Sequence, residues 1–194
     1  LMLPGILGAG VYQINILVGV RLATELPEGS VSFLYFADRV SQLPLGVVGA
    51  AIGVALLPLL TRQLKSGDTE AACLSQNRAI EYSLILTLPA MAALIVLPTP
   101  IITVLFQRGE FGGDATNATA AALVAFAIGM PAYVLIKALA PGFFAREDTS
   151  TPVKIAIFAC VLNVFLAITL MSFLEHVGIA LAAAISAWIN AFSL

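Results

Sequence analysis

Six stretches of the sequence, each of ~18 residues or more, contain no Asp, Glu, Lys or Arg. A run of that length and composition can cross the hydrocarbon core of a bilayer as a helix. The alternating pattern of a membrane β-barrel is absent, and helices satisfy their own backbone hydrogen bonds in lipid. The predicted fold class is therefore all-α and integral to the membrane, a six-transmembrane-helix bundle. The charge-free stretches are 1–20, 43–60, 82–106, 115–136, 155–174 and 177–194.

No linker or change of composition divides these stretches, so residues 1–194 are predicted to form a single membrane lobe. We also expect the chain to be a fragment of a longer membrane protein. The helices are predicted to extend beyond several of the charge-free runs, and the second one to begin near Ser32. The predicted helices span about 1–24, 31–62, 80–106, 115–144, 152–174 and 177–194.

The composition excludes several functional classes. The chain is 60% hydrophobic and 10% charged, whereas a soluble domain is about a quarter charged. The net charge of −2 and the lack of a Lys/Arg run argue against a nucleic-acid partner. Two cysteines, Cys73 and Cys160, and one histidine, His176, make a disulfide framework or a metal site improbable. No catalytic motif is present, so we expect neither an enzyme nor a cofactor.

The positions of the basic residues between the predicted spans indicate an orientation. Five lie in the second-to-third and fourth-to-fifth connections, against two in the outer ones. Lys and Arg are enriched in cytoplasmic loops, which predicts that these two connections, and Cys73 with them, are cytoplasmic. The five are Arg62, Lys65, Arg78, Arg146 and Lys154, and the two are Arg21 and Arg108.

The second predicted helix carries the sharpest candidate site. Asp38 and Arg39 precede a charge-free span, and neighbouring residues point about 100° apart on a helix, so the two do not pair face to face. Either both lie at the outer interface, or Arg39 faces a cavity that accepts an anion, because a guanidinium binds phosphate in a bidentate fashion. We favour the cavity. Residues three and four apart share a helix face, and the stripe containing Arg39 is Tyr35, Arg39, Gln42, Gly46, Gly49 and Gly53.

The other polar residues of the spans admit two interpretations each. Asn15 is either a hydrogen-bonding contact between helices or a substrate contact, and Asn163 is either such a helix contact or part of a cation site. Helix contacts are the commoner case. Arg21 is either a secondary contact or a side chain that extends to the interface. Lys137 is predicted to extend to the cytoplasmic interface. His176 is predicted to lie in a short, solvated turn between the last two helices.

Three motifs in order resemble the MurJ/MviN family of lipid II flippases, within the multidrug/oligosaccharidyl-lipid/polysaccharide exporter superfamily. The first is FADRVSQLPLGVVGAAIGVALLPLLTR at 36–62. The second is LFQRGEF at 105–111, and the third is FFAREDTSTPVK at 143–154. The resemblance covers essentially the whole chain. It implies the second of two lobes that surround a central cationic cavity, and therefore an N-terminal lobe as partner.

The resemblance also implies a function. Such proteins move the undecaprenyl-pyrophosphate-linked peptidoglycan precursor, lipid II, across the bacterial inner membrane by alternating access, in the service of cell-wall biogenesis and cell shape. The functional arginine that transfers by motif is Arg39, with Asp38, Gln42 and Tyr35 as expected substrate contacts and Arg21, Asn15 and Asn163 as secondary ones. Two alternatives remain open: an ion-coupled multidrug or polysaccharide-lipid exporter of the same fold, and a membrane scaffold that transports nothing.

Overall fold

In the computed structural model, which describes residue 13 and residues 15–194, the chain is all-helical. The side chains at 50, 51, 53 and 54 lie outside this description, as do residues 1–12 and 14 of the predicted first helix. No strand occurs in the described part. The helices are α1 (15–23), α2 (Ser30–Lys65), α3 (Thr69–Val96), α4 (Pro98–Phe106), α5 (Gly113–Phe144) and α6 (Ser150–Ser193).

Local signals in the sequence account for the helix ends. Gly67 takes a φ of 80°, a left-handed conformation that glycine adopts at little cost, and this ends the turn after α2. Asp68 caps α3, because its Oδ1 accepts a hydrogen bond from the backbone N–H of Ala71 at 2.9 Å. Helix α3 therefore begins at Thr69, well before the predicted start near residue 80.

Proline has different effects in different helices. Helix α2 continues without a break through Pro44 and Pro58. The predicted third span is instead divided, because Leu97 leaves the helical conformation and Pro98 begins α4. Proline suits the first turn of a helix, where its missing N–H has no partner to lose.

Helix α6 is two arms joined at a sharp bend. Its 44 residues would extend about 66 Å, twice the ~30 Å hydrocarbon thickness. Glu175 takes φ 50° and ψ −131°, and a Cβ on Gly178 would collide with the carbonyl oxygen of Leu170. Two residues eight positions apart are far from each other in a straight helix, so this contact requires the chain to bend back on itself. Counted over residues 15–194, the helical segments number seven, so the predicted count of six is not confirmed.

Helix α5 is the centre of the bundle and packs against α2, α3, α4 and α6. In the most apolar 18-residue stretch of α5, 61% of the residues are buried, whereas 17% are buried in the corresponding stretches of α3 and α6. Those three helices are long and apolar enough to cross a membrane. The main core joins α5 to α2, α3 and α4 through Ala37, Val40, Leu94, Ile102, Ala120, Ala122, Leu123, Ala127 and Met130.

Candidate functional site

The polar segment of α2 has a defined internal arrangement. The side chain of Gln42 donates a hydrogen bond from Nε2 to Oδ2 of Asp38, one helical turn away. The hydroxyl of Ser41 donates to the backbone carbonyl of Asp38 at 2.9 Å. Asp38 is half-buried, whereas its neighbour Arg39 is exposed. The carboxylate of Asp38 is therefore held on its own helix by Gln42 rather than by an ion pair with Arg39.

Arg39 lies on the opposite side of α2 from the core residues Ala37 and Val40. Its Cζ lies 4.9 Å from the ring centroid of Tyr35, which is itself 53% exposed. A cation over a tyrosine face is attracted by the ring quadrupole, and the contact stiffens a long side chain. Within the described part of the chain the single ion pair joins Arg21 to Glu25, so the guanidinium of Arg39 has no carboxylate within 4 Å.

Beyond Arg39, the face of α2 is open at Gly46 and is covered at Gly49 by a side chain of another helix. A Cβ on Gly46 would meet no atom within 4 Å. A Cβ on Gly49 would lie 2.7 Å from both Cδ and Nζ of Lys137, a residue of α5. The stripe predicted from the sequence thus begins at the exposed Tyr35, and at Gly49 it is covered by Lys137 of α5. Gly53, its predicted last member, is among the side chains outside the description.

The structure does not gather all the predicted site residues in one place. Tyr35, Asp38, Arg39 and Gln42 lie together on α2. Arg21 instead contacts its own turn, with Nη1 3.0 Å from Oγ1 of Thr24 and 3.5 Å from Oε1 of Glu25.

Two asparagines that we considered as secondary contacts bind each other. The amide Nδ2 of Asn163 donates to Oδ1 of Asn15, which joins α6 to α1. This is the helix-to-helix hydrogen bond that is common between membrane spans, and it occupies both residues away from the Tyr35–Gln42 segment.

Two polar residues are placed differently from their prediction. His176 is buried rather than solvated: its Nε2 lies 3.0 Å from the carbonyl oxygen of Ala118, and its ring meets Phe33 edge-on at 5.5 Å. Lys137 extends sideways onto α2. The sequence does contain a signal for the position of Lys137, because a lysine within a predicted helix can pack against a glycine stripe. It contains no signal for the burial of His176.

The described part of the chain contains no group of three or more His, Cys, Asp or Glu residues that could hold a metal ion. The open face of α2 presents the guanidinium of Arg39 and the ring of Tyr35, and the side chain of Lys137 reaches it from α5. Such a face can bind an anion by charge and hydrogen bonding.

Comparison with known proteins gives a consistent result. The sequence model of a family described as "Lipid II flippase MurJ" matches residues 1–194. "Probable lipid II flippase MurJ" of Rhizobium meliloti (strain 1021) is 47% identical over the whole chain, which spans 36% of that relative. "Lipid II flippase MurJ" of Burkholderia cenocepacia is 31% identical over the whole chain, which spans 37% of it. The chain therefore spans little more than a third of the length of these curated relatives.

Solved structures agree in fold. A structure titled "Lipid II flippase MurJ, inward closed conformation" aligns with a TM-score of 0.89 at 28% identity, over 98% of this chain and 40% of that one. An outward-facing multidrug resistance MATE transporter aligns with a TM-score of 0.83 at 18% identity, over 98% of this chain and 42% of that one. The second likeness concerns the fold alone. This membrane protein chain belongs to the lipid II flippase MurJ family.

Proposed function

We propose that this chain is one lobe of a transporter that flips lipid II across the bacterial inner membrane, and that Arg39 lies in its cationic central cavity. The observation that carries the proposal is the position of Arg39 on the open face of α2, away from the core and over Tyr35. A cation that faces away from its own lobe, with no carboxylate within 4 Å among the described residues, is available to an anion between two lobes. Family membership supplies the identity of that anion.

The physical task is to carry a pyrophosphate through a low-dielectric layer. Moving an ion into hydrocarbon costs several kcal/mol or more, over a thickness of about 30 Å. Guanidinium groups fixed in a water-filled cavity replace part of the lost hydration, and the planar fork of Arg39 matches two phosphate oxygens. The contact with Tyr35 limits the motion of Arg39 before the substrate arrives.

Transport itself requires the second lobe. In exporters built from two lobes, rocking of one lobe against the other exposes the central site to one side at a time. The open face of α2 then forms this lobe's wall of the cavity, and the lipid tail stays in the bilayer. No chemical bond is made or broken, so the proposal includes no catalytic residue.

The alternative with structural support is an ion-coupled exporter of drugs or polysaccharide lipids, since the fold is shared with MATE transporters. Such a protein needs an intramembrane carboxylate that exchanges ions. Asp38 is the candidate, but its carboxylate is half-buried and already accepts a hydrogen bond from Gln42. The arrangement favours recognition of an anion.

The test is complementation of cells depleted of their own lipid II flippase by the full-length protein. We expect Arg39→Ala to reduce transport on the order of 100-fold, because truncating one partner of a desolvated charge pair costs several kcal/mol. Arg39→Lys should retain part of the activity, since a point charge remains without the fork. Normal growth of an Arg39→Ala strain would overturn the proposal.

A matched control separates this site from a general loss of positive charge. Arg78 is an exposed arginine of α3 in the predicted cytoplasmic connection, and Arg78→Ala should support growth like the wild type. Membrane levels of all variants are compared by immunoblot, because removal of an intramembrane charge should not weaken insertion.

A further inference from the structure

Lys137 is the second cation beside the open face of α2. It begins on α5, and its Cδ and Nζ both lie within 2.7 Å of the position that a Gly49 Cβ would occupy. A lysine that extended along its own helix to the interface would not cross to a neighbouring helix in this way. Gly49 lies three residues beyond Gly46, which is itself seven residues beyond Arg39, so the three residues follow one side of α2.

Lys137 is an exposed residue, and its ammonium has no carboxylate within 4 Å among the described residues. A lysine in a membrane helix without a neutralising partner is a candidate functional group, because the charge is costly to keep there. Packing alone does not explain a lysine at position 137, since a long apolar side chain would cover Gly49 equally well.

An apolar groove lies beside this lysine, between α2 and the end of α5. Its lining combines one charged group with small and apolar side chains. A groove of this kind suits a molecule with an anionic head and a hydrocarbon tail. The lining residues are Gly49, Leu57, Ile136, Lys137, Ala140, Pro141 and Phe144.

Building on the proposed function, we propose that Lys137 is a second phosphate-binding residue, which holds the lipid-linked pyrophosphate on the cytoplasmic side of Arg39. The isoprene units next to the pyrophosphate then lie in the apolar groove, and the rest of the tail stays in the bilayer. Gly49 is ten residues beyond Arg39, which corresponds to about 15 Å along α2. Arg39 and Lys137 would therefore bind the anion at two depths within the ~30 Å hydrocarbon thickness. Between them the anion moves along the open face of α2 at Gly46, where no side chain obstructs it.

The experiment measures binding of geranylgeranyl pyrophosphate to the full-length protein in detergent, with geranylgeraniol as the uncharged probe. We expect Lys137→Met to weaken pyrophosphate binding by about tenfold, a factor typical for the loss of one charge-assisted contact. Binding of geranylgeraniol should not change, because methionine preserves the length and packing of the side chain. Lys137→Arg should bind pyrophosphate nearly as well as the wild type.

Three results would overturn the inference. Wild-type affinity of Lys137→Met would show that the ammonium makes no contact with phosphate. Equal losses in Lys137→Met and Lys137→Arg would show that only the shape of lysine matters. Displacement of the probe by phosphatidylglycerol as readily as by unlabelled pyrophosphate lipid would assign the groove to a structural phospholipid.

A chemical rescue covers the case in which Lys137→Met does not fold. Lys137→Cys, in a Cys73→Ser, Cys160→Ala background, is treated with an aminoethyl or a methyl methanethiosulfonate. The aminoethyl group restores a positive charge and should restore binding, whereas the methyl group should not. Equal binding after both reagents would contradict the inference. The failure of this inference is separate from failure of the proposed function, which Arg39→Ala alone decides.

Discussion

Helices α5 and α2 have 32 and 36 residues and pack against each other, yet they are buried in different ways. Helix α5 is surrounded by other helices and consists largely of Ala, Gly, Thr and other small residues on its contact surfaces. Helix α2 buries one side and leaves the side with Tyr35, Arg39 and Gly46 open. The small residues of α5 therefore allow neighbouring helices to pack closely, whereas the open side of α2 is available for contacts outside the lobe.

The same residue type has different roles on the two helices. Membrane helices gain little from the hydrophobic effect between them, so close packing of small residues is an important source of their association. On α5, a Cβ at Gly129 would lie 2.8 Å from Cα of Ala184 on α6. On α2, a Cβ at Gly46 would meet nothing within 4 Å. One glycine allows two backbones to approach, and the other leaves space.

The largest effect expected from this comparison is on stability. Gly129→Ala should destabilise the protein by about 1–3 kcal/mol, because the new methyl group meets backbone that has no other place to go. Gly46→Ala should be neutral or stabilise by about 0.5–1 kcal/mol, since alanine is the better helix former and the space is free. The measurement is the thermal midpoint of the detergent-solubilised full-length protein.

The pair of glycine variants is its own control, because both replace glycine by alanine inside a helix. Shifts of the same sign and size would show that the α5–α6 contact at Ala184 relaxes without cost. The distinction between a packing helix and an open helix would then not hold at these positions.

A second, smaller effect concerns the end of the bundle where α5, α6 and α2 meet at His176. The imidazole bonds to Ala118 on α5 and packs against Phe33 on α2. His176→Ala should lower the thermal midpoint by about 3–6 °C, because a buried acceptor loses its partner and the ring contact is lost. Phe173→Ala, an 81% exposed residue near the same bend, is the matched control and should change it little.

His176→Gln tests which part of the contact matters. An amide can still donate to the carbonyl of Ala118, so this variant should recover part of the lost stability. A His176→Ala protein as stable as the Phe173→Ala protein would show that the three helices are held at this end by their apolar contacts alone.

The sequence predicted the elements that depend on composition. The apolar spans that became α3, α5 and α6 were predicted because lipid demands long uncharged helices, and this demand acts on the sequence directly. The start of α2 at Ser30 was predicted within two residues of its position. The division of the third span at Pro98 was missed, since proline interrupts one helix and is accommodated in another depending on tertiary packing.

The side chains of the site were less predictable than the helices. The stripe on α2 that contains Arg39 follows from helical periodicity alone. The placement of Lys137 on Gly49 and of His176 on Ala118 depends on how α5 and α6 pack against other helices, which no spacing in one segment specifies. A polar residue in or near a span has several accessible partners, and only the assembled bundle selects one.

The smallest expected effect lies just before the start of α6, outside the candidate membrane-spanning helices. Asp148 lies just before Thr149, the N-cap residue of this helix, and takes over the capping role. Its Oδ1 accepts hydrogen bonds from the backbone N–H groups of Ser150 at 3.1 Å and Thr151 at 3.0 Å. Hydrogen bonds from the side chain and backbone of Thr151 lower the pKa of Asp148 below its usual value of 3.8. A lowered pKa in the folded protein means that the cap stabilises above the unfolded-state pKa and that its contribution is lost as the pH falls below 3.8 through the folded-state value.

Asp148→Ala should therefore lower the thermal midpoint by only about 2 °C at pH 7, since the site is exposed and screened by solvent. The difference from the wild type should shrink as the pH falls below about 4, because both proteins then lack the ionised cap. Thermal midpoints of the two proteins between pH 7 and pH 3 provide the measurement. A difference that stayed constant over this range would mean that the carboxylate charge is not what begins α6, and the polar end of this helix would then depend on packing in the same way as the buried contacts of α5.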